Sequence, residues 1–93
     1  MKRILVAGLI NVETTVQVDS FPIQYSPVRY PFFGVNSAVS GVGYNISKAL
    51  TTLGNSVRFL SMVGSDTARI LVRAALEKDG INGKYVIDGL ETT

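Results

Sequence analysis

The sequence predicts an α/β fold in which a mostly parallel sheet carries a small antiparallel excursion. Short apolar segments at residues 3–7 and 57–63 each end at a glycine, as buried strands of parallel sheets often do. Two segments with the apolar spacing of helices, 41–54 and 67–80, follow strands in the chain. This alternation of strands and helices predicts a doubly wound sheet with right-handed crossovers.

Composition excludes several functional classes. The 93 residues include nine Lys or Arg and seven Asp or Glu, with no Cys and no His. Disulfides, metal sites built from Cys or His, and Ser–His or Cys–His nucleophilic catalysis are therefore excluded. The basic residues are scattered along the chain, whereas a nucleic-acid partner requires a concentrated positive face, so we expect none.

The chain is apolar for its length, with 46% hydrophobic and 17% charged residues. One explanation is that some apolar side chains pack against protein outside this chain. No run approaches the roughly 20 apolar residues of a membrane-spanning helix. The apolar run 4–7 after Lys2 and Arg3 is also much shorter than that of a secretory signal. We therefore expect a cytoplasmic protein with no membrane partner.

The first third of the chain predicts three strands. Residues 3–7 have the continuous apolar pattern of a strand buried on both faces. Residues 14–18 are β-branched and alternate in polarity, which indicates a half-exposed strand. After a proline-containing connection, residues 28–33 alternate again, and Pro31 favours an edge position. We expect the last two segments to form an antiparallel excursion from the main sheet.

The remainder predicts two helices around a further strand, and a strand beginning at 84–87. Gly54 supplies a C-terminal stop for the first helix, whose predicted buried stripe is Ile46, Ala49, Leu50 and Leu53. Asp66 is a plausible N-cap for the second helix, and Gly80 ends it, with Ile81 placed for a hydrophobic contact at the cap. The residues predicted to face inward on this helix are Ile70, Leu71, Ala74 and Ala75.

The glycine-rich turn before the first helix carries the most functional information. Gly41 and Gly43 would let backbone amides approach a ligand closely at the positive end of the helix. Asn45, in the first turn, offers an amide donor and acceptor suited to hydroxyl groups. The alternative is that the glycines only form a tight turn and Asn45 only caps the helix. Neither a dinucleotide fingerprint nor a Walker P-loop fits, because Ile46 stands at the third glycine position and no Gly-Lys-Ser/Thr occurs.

The register of six residues resembles the first signature of the ribokinase/PfkB carbohydrate kinases. That signature begins with Gly-Gly-x-Gly-x-Asn, followed by a small residue and two spaced glycines, and the matching positions are Gly41, Gly43, Asn45, Ser47, Gly54 and Gly64. Ser40 departs from the pattern, since the family usually has Gly or Ala there. We expect the turn to be retained, with altered contacts to the sugar.

The turn after the first strand also resembles that family, whose pattern is commonly Gly-x-x-Asn-x-Asp. Asn11 is kept, and Glu13 replaces the Asp that binds sugar hydroxyls in the family. A Glu carboxylate accepts the same hydrogen bonds one methylene further out, which implies a displaced sugar or a different one. The alternative is an ordinary turn at a strand end. The segment Val63-Gly64-Ser65-Asp66 is similar to the family's Val-Gly-x-Asp, with Asp66 primarily a helix cap.

This resemblance covers nearly the whole chain and implies the start of a ribokinase-like fold, with residues 13–35 forming a small β lid. It implies a sugar substrate, and ATP and Mg as cofactors whose sites lie outside this chain. It also implies a possible homodimer through the lid, with Tyr30, Phe32 and Phe33 packing against the partner lid or covering the sugar. The alternative is that these three residues form an ordinary hydrophobic face. The substrate-binding residues that it implies are Asn11, Glu13, Gly41, Val42, Gly43 and Asn45.

The family's catalytic base lies in a C-terminal Asp-Thr-x-Gly-Ala-Gly-Asp motif, which the 93 residues do not contain. The one Asp-Thr pair, Asp66-Thr67, is followed by Ala-Arg. Residues 1–93 are therefore predicted to be the N-terminal part of a kinase domain, inactive and aggregation-prone by itself. Two alternatives stay open, namely a nucleoside kinase of the same fold and a non-catalytic α/β binding module.

Overall fold

Eight short elements make up the fold in the computed structural model, which describes residues 1–18, 20–23, 25 and 33–93. In that part of the chain, no helix is long and apolar enough to cross a membrane. The elements in chain order are β1 (Arg3–Ala7), β2 (Asn11–Val16), β3 (Val35–Ser40), α1 (Val42–Thr52), β4 (Ser56–Gly64), α2 (Thr67–Lys78), a 3-10 turn (Gly83–Tyr85) and β5 (Val86–Leu90).

The main sheet is parallel and has the strand order β1-β4-β5. Successive side chains of a strand point to opposite faces, and β4 alternates strictly between buried and exposed residues. One face of the sheet is covered by the core that includes both helices. The other face is bare in the described structure, with large exposed fractions at Leu5 (65%), Leu60 (38%), Met62 (45%) and Ile87 (51%).

Among the described residues, one hydrophobic cluster joins the covered face of the main sheet to both helices and to strands β2 and β3. Phe59 of β4 is fully buried at its centre. Burial of a side chain of this kind stabilises a fold by about 1.5–3 kcal/mol. The other members of the cluster are Ile10, Tyr44, Val63, Val72, Leu76, Ile81 and Val86.

The prediction that β1 is buried on both faces is wrong for the described structure. Ile4 and Val6 are half-buried, whereas Leu5 between them is largely exposed. The reason is that the described residues cover one face of the main sheet only.

The helices occur where predicted, but their buried faces differ from the prediction. On α1 the buried residues are Gly43, Tyr44 and Ser47, whereas Ile46 is 46% and Leu53 78% exposed. The small residues face the sheet because the helix approaches it closely, and a β-carbon added at Gly8 would lie 3.0 Å from the Cα of Gly43. The apolar spacing therefore predicted a helix correctly. It did not predict which face of the helix is buried, because Ile46 and Leu53 lie on the exposed face.

Helix α2 shows the same reversal. Val72 and Leu76 are buried, whereas Ile70 and Leu71, predicted to face inward, are 67% and 49% exposed. Of the four residues predicted to face inward, Ala75 packs against the core.

The predicted ends of both helices are confirmed. At the end of α1, Gly54 N–H donates to Thr51 O (3.0 Å) and Asn55 N–H donates to Leu50 O (3.1 Å). These two bonds form a Schellman motif. At the end of α2, Ile81 N–H donates to Leu76 O (2.9 Å), and the Ile81 side chain is buried, as the predicted cap contact requires.

The small antiparallel sheet pairs β2 with β3, in register from Asn11↔Ser40 to Val16↔Val35. The predicted strand 14–18 overlaps β2, which begins three residues earlier in the chain. The predicted strand 28–33 lies largely outside the described residues, as do Tyr30 and Phe32. Its last residue, Phe33, is fully exposed. Within the described residues the strand that pairs with β2 is β3, residues 35–40, which was not predicted to be a strand.

Candidate functional site

The candidate site lies where β1 ends, the lid begins and α1 starts. The glycine-rich turn packs directly on the backbone of residues 8–10. A β-carbon at Gly43 would lie 2.7 Å from the carbonyl carbon of Gly8, and one at Gly41 would lie 2.5 Å from Leu9 O. Gly41 also has a φ of 106°, which side-chain-bearing residues rarely adopt. Both glycines therefore serve close backbone packing, and this packing brings the start of α1 beside the start of β2.

At the N-terminus of α1, two backbone amides have no hydrogen-bond partner among the described residues. Gly41 is the N-cap and provides no side-chain hydrogen bond. Tyr44 N–H donates to Leu9 O (3.2 Å), and Asn45 N–H donates to Gly41 O (2.9 Å). Among the described residues, the amides of Val42 and Gly43 have no such partner. Free amides at the positive end of a helix favour an oxygen-bearing ligand.

The antiparallel sheet of β2 and β3, called the lid sheet below, has one polar face and one largely apolar face. Residues paired across an antiparallel sheet project to the same face, so Asn11 shares a face with Ser40, and Glu13 with Ala38. On the opposite face, Val12 and Val39 pack against the core. The polar face contains Asn11, Glu13, Thr15, Asn36, Ala38 and Ser40.

Two predicted site residues meet through Ser40. Asn45 Nδ2 donates to Ser40 Oγ at 3.4 Å, and Ser40 lies opposite Asn11 in the lid. Asn11 Oδ1 is buried and has no hydrogen-bond partner among the described residues. An unpaired buried acceptor costs about 1–3 kcal/mol, which a ligand hydroxyl would remove. Glu13 is exposed, one pair further along the polar face.

A polar contact beside the site was not predicted. The Tyr44 hydroxyl donates to the Asp79 carboxylate, and Lys48 Nζ lies 3.8 Å from the same carboxylate. Burial, and then the hydrogen bond and charge of Asp79, raise the pKa of Tyr44 to about 12. The contact joins the start of α1 to the end of α2. The sequence signal that could have indicated this contact is the i, i+4 spacing of Tyr44 and Lys48, because residues four apart lie on one face of a helix.

Asp66 is the N-cap of α2, as predicted, and it also holds the segment after β5. Its carboxylate accepts hydrogen bonds from the N–H of Arg69 (3.0 Å), the N–H of Thr93 (2.6 Å) and the hydroxyl of Thr93 (2.8 Å). The hydrogen bonds from Thr93, the backbone one first, lower the pKa of Asp66. Gly64 is required here because a β-carbon would lie 2.5 Å from Thr92 Cα.

The residues implied for the sugar site therefore lie in two neighbouring segments. Asn11 and Glu13 lie on the polar face of β2, whereas Gly41, Val42, Gly43 and Asn45 form the N-cap and first turn of α1. Ser40, which was not among the implied residues, links Asn11 to Asn45. The described residues contain no group of three or more Asp, Glu, His or Cys that could hold a metal ion.

The sequence model described as pfkB family carbohydrate kinase matches residues 1–93. The chain belongs to this family, which confirms the resemblance predicted from the glycine–asparagine register. No curated protein matches the chain at a significant level.

Solved structures confirm the fold class. Fructokinase with bound ATP from Xylella fastidiosa aligns with a TM-score of 0.71 and 20% identity, over 94% of this chain and 23% of that one. Ribokinase from Giardia lamblia aligns with a TM-score of 0.71 and 21% identity, over 100% and 27%. Burkholderia thailandensis nucleoside kinase in complex with inosine aligns with a TM-score of 0.70 and 20% identity, over 97% and 27%. The chain thus spans less than a third of the length of each.

Proposed function

We propose that the protein transfers phosphate from ATP to a hydroxyl of a small sugar, and that this chain supplies part of the sugar site. Membership of the pfkB family supports the reaction class. The observation that carries the assignment of the site is the unpaired Asn11 Oδ1 beside Ser40 and Asn45, at the uncapped N-terminus of α1.

The proposed residues match the chemistry of a polyhydroxylated ligand. Asn11 Oδ1 and the Glu13 carboxylate accept hydrogen bonds from sugar hydroxyls. The amides of Val42 and Gly43 donate to sugar oxygens, helped by the positive end of the α1 dipole. Asn45 can donate and accept. The role of these residues is binding and orientation, because correct placement of the reacting hydroxyl is a large part of phosphoryl-transfer catalysis.

ATP and magnesium belong to the proposal through the family alone. The resemblance implies that the sites of both lie outside this chain. The proton acceptor for the substrate hydroxyl is likewise not assigned to any residue of this chain. We therefore expect the isolated 93-residue chain to be inactive, and phosphorylation by that chain alone would contradict the assignment.

A nucleoside kinase is the second candidate. The nucleoside kinase in complex with inosine aligns with this chain as well as the fructokinase does. The ribose of a nucleoside would present hydroxyl groups to the same acceptors, Asn11 Oδ1 and Glu13.

A cytoplasmic location and a homodimer through the lid remain predictions. The exposed Val16 (57%) and Val35 (52%), paired at the far end of the lid, support the dimer.

The function is tested by measuring ADP release by the full-length protein with ribose, fructose, sugar phosphates and nucleosides. Activity with a sugar supports the first candidate, and activity confined to nucleosides supports the second. No turnover with any of them would contradict both.

Two variants test the site in the same protein. Asn45→Ala and Glu13→Ala are each expected to lower kcat/KM for the accepted substrate by about 5- to 20-fold, through loss of a hydrogen bond to the substrate. Asn82→Ala and Glu77→Ala are matched controls, because Asn82 caps the 3-10 turn and Glu77 is exposed on α2. Unchanged kinetics in both site variants would contradict the proposed sugar site.

A further inference from the structure

Ser40 occupies a central position in the proposed sugar site. It is the last residue of β3, immediately before Gly41, and it pairs with Asn11 across the lid sheet. Its hydroxyl accepts the hydrogen bond from Asn45 Nδ2 at 3.4 Å. Ser40 therefore connects the asparagine at the start of the lid with the asparagine at the start of α1.

A hydroxyl at this position constrains the Asn45 side chain. Asn45 is exposed, and its bond to Ser40 is the one side-chain hydrogen bond that it makes among the described residues. The terminal torsion of an asparagine is broad, so an unbonded carboxamide samples many orientations. The oxygen and nitrogen of the amide lie on opposite sides of Cγ. When Nδ2 is held by Ser40, Oδ1 is therefore turned away from Ser40 and is free to accept. Glycine or alanine at position 40 could not do this.

We propose that Ser40 is a positioning residue that orients the Asn45 carboxamide so that its Oδ1 accepts a hydrogen bond from a substrate hydroxyl. This inference rests on the proposed function. Together with Asn11 Oδ1 and the Glu13 carboxylate, the site then presents three acceptors. Such a site favours a ligand that donates several hydroxyl hydrogens on this side. It discriminates against a ligand that is deoxygenated there or that presents a phosphate.

The kinetic test uses a double-mutant cycle in the full-length protein, with the best substrate of the panel and its singly deoxygenated analogues. Ser40→Ala is expected to raise KM by about 3- to 10-fold with a smaller change in kcat, and to reduce the preference over one deoxy analogue. Ser40→Thr, which retains the hydroxyl, is expected to stay within about twofold of wild type. In the Asn45→Ala background, Ser40→Ala should cause no further change, because its effect passes through Asn45. An equal loss in that background, or an unchanged KM in Ser40→Ala, would overturn the proposal.

A second measurement is independent of catalysis. The side-chain amide signals of Asn45 in a ¹H–¹⁵N spectrum are identified by their loss in Asn45→Ala. They are expected to shift in Ser40→Ala, and Ser40→Thr should restore them. Signals that do not move in Ser40→Ala would overturn the positioning role. A wild-type protein that phosphorylates none of the panel would refute the proposed function, whereas this spectrum would still decide whether Ser40 holds Asn45.

Discussion

The glycines at the two ends of α1 are required for different physical reasons. Gly43, at the start, lies against the backbone of Gly8 and the ring of Phe59, so that a β-carbon there would be 2.7 Å from one and 2.8 Å from the other. Gly54, at the end, has a φ of 92° and nothing within 4 Å of an added β-carbon. The first glycine is needed for space and the second for backbone conformation. Only the first lies beside the proposed site, so only there does the requirement for glycine concern the geometry of that site.

The largest effect is expected for Gly43→Ala. The added methyl would meet backbone atoms that cannot rotate away, so α1 would have to move from the sheet. Overpacking of this kind costs about 3 kcal/mol. Denaturant unfolding of the full-length protein measures the loss, and a rise in KM for whichever substrate the panel identifies should accompany it. A free energy of unfolding close to that of wild type would show that the turn is not tightly packed.

A smaller loss in the free energy of unfolding is expected for Tyr44→Phe. This variant tests whether a polar contact also stabilises the start of α1. The variant removes the hydroxyl that donates to Asp79 in a largely buried position. Loss of such a hydrogen bond costs about 1–2 kcal/mol. Lys48→Ala is the matched control and should cost less, because the Lys48–Asp79 pair is longer and Lys48 is half exposed. Equal losses in the two variants would show that the ion pair matters as much as the hydrogen bond.

The same contact predicts a pH dependence. The pKa of Tyr44 is raised from 10.0 to about 12 in the folded protein. The folded state therefore holds the proton of the Tyr44 hydroxyl more tightly than the unfolded state does. The contribution of this proton to the free energy of unfolding is complete below pH 10 and is lost as the pH rises towards 12. Unfolding measured from pH 9 to pH 12 should show a steeper loss of stability in wild type than in Tyr44→Phe. Parallel curves would contradict the raised pKa.

The smallest effect is expected for substitutions at Gly54. Alanine there should cost about 1 kcal/mol, because the cost is conformational and no atom is displaced. Gly54→Asn should cost less, since asparagine tolerates a positive φ better than alanine does. Thermal unfolding distinguishes the two. If Gly54→Ala were as damaging as Gly43→Ala, the distinction between space and conformation would fail.

Local chemistry predicted the parts of the fold that depend on a few neighbouring residues. Asp66 as an N-cap, and Gly54 and Gly80 as helix ends, were confirmed because their hydrogen bonds are formed within a few residues along the chain. The family was predicted from the spacing of glycines and Asn45, and the match over residues 1–93 confirmed it.

Strand β3 and the buried faces of the helices could not be predicted in this way. Residues 35–40 include two valines, but Asn36 and Ala38 between them have weak strand preference, and the segment forms a strand because β2 supplies the partner. Ile46 and Ile70 were predicted to face inward from the helical spacing of apolar residues, but close approach to the sheet selected small residues on α1. The assignment of individual site residues remains a prediction.

The sequence by itself determined the family, the alternation of the main-sheet strands with the two helices, and the places where the helices begin and end. These features depend on local hydrogen bonds and on a spaced signature. Only the tertiary structure decided that Ser40 pairs with Asn11 and bonds to Asn45, because that contact depends on the register of the lid. It also decided that Gly41 and Gly43 pack against residues 8–10, since backbone contacts between distant segments have no periodic signal in the chain.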